Sequence, residues 1–67
     1  MSRLDKYPVV EQAINYGIEA MGQRTAMAIQ VAYFWVEGWL AAGGDGNITE
    51  DDAKEIRDLV AGYHFSE

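Results

Sequence analysis

Between Thr25 and Ala42 the chain carries Met27, Ile29, Val31, Tyr33, Phe34, Trp35, Val36, Trp39 and Leu40, and only Gln30 and Glu37 interrupt this apolar run. Wound into an α-helix, these side chains point in every direction around the cylinder. A helix that is apolar nearly all round must be buried nearly all round. The whole chain has only 67 residues, which makes one small domain. A domain of that size buries about 60% of its unfolded surface, too little to cover such a helix with its own two neighbours. Small domains make up the deficit with disulfides, a structural metal or oligomerisation. The chain contains no cysteine, and His64 is its single histidine, so disulfides and the usual zinc sites are ruled out. Self-association is left, and a homodimer built on this helix is expected. Small residues at four-residue spacing, Ala28 with Ala32 and Gly38 with Ala42, suit the close approach of a second helix.

Two further helices flank the apolar one. Pro8 fits the first turn of a helix, where its missing N–H costs nothing, and Asp5 is available as a cap. Val10, Ile14, Gly17 and Met21 then recur on one face, flanked by Val9, Ala13, Tyr16 and Ala20, up to Gly22 as a stop. Thr25 is placed to cap the second helix. Thr49 begins a third, with Asp52 positioned to complete a capping box and with Glu50, Asp51 and Asp52 in the first turn, where the helix dipole favours acids. Ala53, Ile56, Val60 and Tyr63 form its apolar stripe beside Leu59, and Gly62 ends it. The expectation is an all-α, three-helix domain with helices over about 8–21, 25–42 and 49–62, the second central, and residues 63–67 as a tail.

The connection between the last two helices has a motif of its own. Read from Ala41 as its first position, the stretch places Asp45 fifth, Gly46 sixth, Asn47 seventh, Ile48 eighth and Asp52 twelfth. This back half resembles an EF-hand calcium-binding loop, in which acids or amides occupy positions one, three and five, glycine the sixth, an aliphatic the eighth and a bidentate acid the twelfth. The resemblance implies calcium held by Asp45 and Asp52. The front half departs from the pattern, because Ala41 and Gly43 have no side-chain oxygen where the first and third ligands belong. EF-hands pair through the eighth position, and Ile48 has no second loop to meet within one chain. The loop therefore reads as a glycine-rich turn with no metal or cofactor, although a metal-responsive module on the remnant ligands is an alternative function.

Net charge is −6, which disfavours direct binding to nucleic acid or anionic lipid and favours basic protein surfaces. Glu50, Asp51, Asp52, Glu55 and Asp58 gather in the third helix, where they could mimic a row of phosphates and occupy a nucleic-acid-binding protein. The segment Met1–Lys6 is followed by Val9-Val10 and at once by Glu11-Gln12, not by the apolar core of a signal peptide, so a cytoplasmic location is expected. Residues 25–44 are long enough to span a bilayer, but Glu37 near their middle costs about 2.5 kcal/mol or more, and no span is expected.

Glu37 beside Trp35 and Trp39 has the look of a general acid–base. No nucleophile stands with it, since there is no cysteine, His64 lies in the tail, and Ser2 and Ser66 lie near the termini. Glu37 reads better as a polar seam residue reaching solvent or pairing with Arg24 or Arg57 of a neighbour. Catalysis is not expected. What these features predict is a small, acidic interaction protein that binds another protein and inhibits or redirects it. Its apolar interface is Tyr33, Phe34, Trp35, Trp39 and Leu40, and the acids of the third helix supply orientation. By analogy, stand-alone domains of this kind are encoded by phages and plasmids against host proteins.

Overall fold

The computed structural model describes residues 7–65 and contains three helices, α1 (Pro8–Met21), α2 (Ala26–Ala41) and α3 (Glu50–Ala61). The fold is all-α; among the described residues there is no strand. Asp5, the expected cap of α1, lies outside the described residues, as do Ser2 and Ser66. Tyr7 occupies the cap position instead, with Pro8 following it, and no side chain caps this end. At the far end Gly22 takes the left-handed conformation and donates its N–H to the Ile18 carbonyl at 2.7 Å.

Only four residues join α1 to α2, so the two helices pack as neighbours. Their contact is set by Gly17. A Cβ built there would sit 2.1 Å from the Ala28 carbonyl oxygen and 3.2 Å from the Ala32 nitrogen, so the two backbones touch where any side chain would hold them apart. Ala28 and Ala32 are accordingly buried. The first small-residue pair thus serves the approach of α1 within the chain, not that of a second copy.

The core is built from Val10, Ala13 and Ile14 of α1, Ala32 and Val36 of α2, and Ile56 and Val60 of α3, with Tyr7 and Val9 closing one end. Ile18, Trp35, Trp39, Leu40, Ile48 and Leu59 lean on it partly buried. The expected tail is not loose up to Phe65. Tyr63 and Phe65 meet edge to face, centroids 5.3 Å apart, and both pack against the core.

The turn after α2 is a Schellman stop. Gly44 donates to the Trp39 carbonyl at 2.9 Å and Gly43 to that of Leu40 at 3.0 Å, with φ of 58° and 97°. Gly44 also lies between the Trp39 ring and Ile48, where a Cβ would come within 3.0 Å of the one and 2.8 Å of the other. Ile48 is therefore packed inside its own chain rather than waiting for a second loop.

The two expected threonine caps differ. At α3 the capping box is complete: Thr49 Oγ1 accepts from the Asp52 N–H at 3.1 Å, and Asp52 Oδ2 accepts from the Thr49 N–H at 3.3 Å. At α2, Thr25 stands in the cap position but makes no side-chain cap bond. Its hydroxyl oxygen is buried without a hydrogen-bond partner. Among the described residues no helix is long and apolar enough to cross a membrane.

Candidate functional site

Residues lie 100° apart around a helix, and burial fixes the orientation of α2. Ala28, Ala32 and Val36 mark its inner face. The opposite side is an open stripe running from Met27 through Gln30 and Phe34 to Gly38 and Ala41, with half-buried Val31 along one edge. Phe34 is 77% exposed and Met27 50%. A Cβ at Gly38 would meet nothing within 4 Å, so the stripe has a notch one turn beyond its most prominent ring. None of these six residues is charged, and Glu37 flanks them beside Gln30 around the helix. Tyr16 of α1, 49% exposed, extends the apolar surface sideways, its ring tilted against Trp35 at a centroid distance of 6.2 Å.

The five residues expected to form the interface do not share one face. Phe34 projects to solvent. Tyr33, Trp35, Trp39 and Leu40 are half-buried and lean on the core, and Trp39 is turned toward the glycine stop and Ile48. Chain composition showed that α2 has surplus apolar surface but not which side keeps it. The packing of Gly17 against Ala28 and Ala32 fixes the open side, and nothing in the sequence tells that small pair from Gly38 and Ala42, which stay exposed. Met27, Val31, Gly38 and Ala41 then follow by elimination.

Glu37 borders the stripe and pairs with Arg57 of α3 in the same chain, through Arg57 Nε and Glu37 Oε1. The pairing with a neighbour's arginine is thereby replaced by an internal one. Both side chains remain about two-fifths exposed, and Glu37 holds the Arg57 guanidinium pKa above its already high ordinary value. Beside this pair, Leu40, Gly43, Ile48 and Ala53 floor an open groove of about 500 Å³ whose rim carries Glu50 and Arg57.

The acids of α3 divide into two sets. Asp52 uses one oxygen in the capping box and accepts with the other from the Tyr7 hydroxyl at 2.7 Å. This bond drives the Tyr7 pKa from 10.0 up to about 12, with burial and the nearby Glu55 adding to the push. Asp52 and Glu55 thus belong to the contact between α1 and α3. Glu50, Asp51 and Asp58 remain exposed. Tyr7 was not singled out from sequence, because the bond that gives it a role spans 45 positions and has no local signature.

The remnant calcium ligands do not fit a cation. Calcium takes six to eight oxygens, while Ala41 and Gly43 supply no side-chain oxygen. Asp45 Oδ1 already accepts from the Asn47 N–H at 2.9 Å, and both oxygens of Asp52 are engaged. No cluster of three or more acidic, histidine or cysteine side chains suited to a metal occurs among the described residues. The chain matches no family model, no curated protein and no solved structure.

Proposed function

We propose that this chain is a noncatalytic interaction module that associates with itself through the open stripe of α2 and binds a second protein, inhibiting or redirecting it. The observation that carries the reading is Phe34, a large apolar ring 77% exposed in the middle of an uncharged helical face. Contiguous exposed apolar surface marks interaction sites, and an aromatic anchor is what such sites use most. The exposed acids Glu50, Asp51 and Asp58 supply orientation toward a basic partner, since charge on a rim steers encounter more than it adds affinity.

Sedimentation at micromolar concentration tests the first half. The native chain is expected at twice its mass of 7.5 kDa, and Phe34→Asp at the single-chain mass with undiminished helical signal. A native monomer would remove the reading. For a metal-responsive module the expectation is negative: calcium at millimolar concentration should leave the melting temperature unmoved. A shift abolished by chelator and by Asp45→Ala would overturn the interaction reading in favour of the loop.

A further inference from the structure

We propose that the occupant of the α2 stripe is a second copy of the chain lying antiparallel to the first, with Phe34 of each copy seated over Gly38 of the other. The inference rests on the self-association proposed above and assigns its geometry. The stripe is self-complementary along its own length. Its knob, Phe34, and its notch, Gly38, lie one turn apart on the same line, and the notch is open within the chain because a Cβ at Gly38 meets nothing within 4 Å. A two-fold axis perpendicular to the helices, set midway between these levels, brings knob to notch twice. The same axis sets Val31 opposite Ala41. With helix axes about 8–10 Å apart, as close helix packing requires, such facing Cα atoms fall near 6 Å. A parallel pair would instead set ring against ring and notch against notch.

Charge favours the antiparallel choice independently. The stripe itself is uncharged, but its two ends differ. Arg24, exposed and without an ion pair among the described residues, stands just before the N-terminal end of α2. Asp45, Glu50 and Asp51 stand beyond its C-terminal end, Glu50 lining the same groove as Leu40 and Gly43. A parallel pair would join two acid-rich ends of chains that each carry a charge of −6. The antiparallel pair separates those ends and brings each toward the other copy's Arg24. Aligned helix dipoles also oppose one another in parallel and attract in antiparallel packing.

The chain has no cysteine, so single cysteines report the pairing without background. Val31→Cys and Ala41→Cys are introduced separately into the full chain, and both are checked for native helical signal and dimer mass. They are then oxidised alone and mixed, with Asp51→Cys as a measure of random collision. The mixture is expected to yield the Val31–Ala41 disulfide at least about tenfold faster than Val31→Cys links to itself, because facing positions hold their thiols at high effective concentration. A dimer in which Val31→Cys self-links as fast as the mixture overturns the antiparallel geometry and leaves self-association standing. A dimer in which no pair exceeds the Asp51→Cys rate places the contact on another face and overturns the assignment to this stripe. A native chain that sediments as a monomer overturns the reading beneath both.

Discussion

Gly17 and Tyr7 are the two residues whose single atoms decide most. At Gly17 a methyl group would be driven into the backbone of Ala28 and Ala32, and backbone cannot rotate away as a side chain can. Gly17→Ala should therefore cost about 1–3 kcal/mol, the usual range for overpacking. For a domain of this size each kcal/mol lowers the melting temperature by about 4–8 °C, which a far-UV circular dichroism melt resolves. An unchanged melting temperature would mean that α1 and α2 are not in backbone contact. Tyr7 makes a pH-dependent contribution. Its pKa is raised from 10.0 to about 12, chiefly by the bond it donates to Asp52. The folded state thus holds the phenolic proton more tightly than the unfolded chain. This stabilisation is whole below pH 10 and is lost as pH climbs from 10 to about 12. Tyr7→Phe should be less stable than the native chain at neutral pH, and the difference between their urea midpoints should close over that alkaline window. A difference that stays constant with pH would mean that the hydroxyl bond is not its source.

At the scale of elements, the two threonine caps offer an internal comparison. Thr49 makes its capping box and Thr25 does not. Thr49→Ala should cost about 1 kcal/mol and reduce helix content in α3. Thr25→Val keeps the shape, removes a buried hydroxyl with no partner, and should be neutral or stabilising by up to about 1 kcal/mol. Equal losses at the two positions in chemical denaturation would contradict the difference in capping. The positions of all three helices were legible in the residues, because Pro8, Gly22, Thr49 and Gly62 punctuate the chain by local rules that need no tertiary information. The face of α2 was not legible. Its apolar residues surround the axis, so periodicity carries no direction. Orientation came from a contact between segments, Gly17 against Ala28, that no single helix encodes. The same limit applied to Glu37: a carboxylate on an apolar helix announces that it needs a partner, but Arg57 lies 20 positions away and reaches it only through the fold. Asp52 was identified as a cap from spacing alone, whereas its second bond spans 45 positions and left no local trace.

For the whole molecule, the open stripe and the acidic end make opposite predictions about salt. Self-association through an uncharged apolar face should not weaken between low and high ionic strength, and it should strengthen as repulsion between two acidic chains is screened. Capture of a basic partner through Glu50, Asp51 and Asp58 should weaken over the same range. Sedimentation across a salt series separates the two, and self-association that falls steeply with salt would point to ion pairs rather than Phe34 as its basis. Phe34→Asp should leave the fold of the single chain within about 0.5 kcal/mol of native, as exposed positions do. A large loss of monomer stability would mean that the ring is covered within its own chain.

The bond from Tyr7 to Asp52 joins the start of α1 to the start of α3 and closes 45 positions of the 67-residue chain into a ring. During synthesis this closure must wait. A nascent chain that has reached only the glycine turn can form α1 and α2 as a hairpin, but Val10 and Ile14 then lack Ile56 and Val60, and the Tyr7 hydroxyl has no acceptor in Asp52. Until α3 emerges the chain thus exposes, besides the α2 stripe that stays open in the finished molecule, the core side chains Val10 and Ile14, and two nascent copies near one another would meet also through core surface that the finished molecule buries.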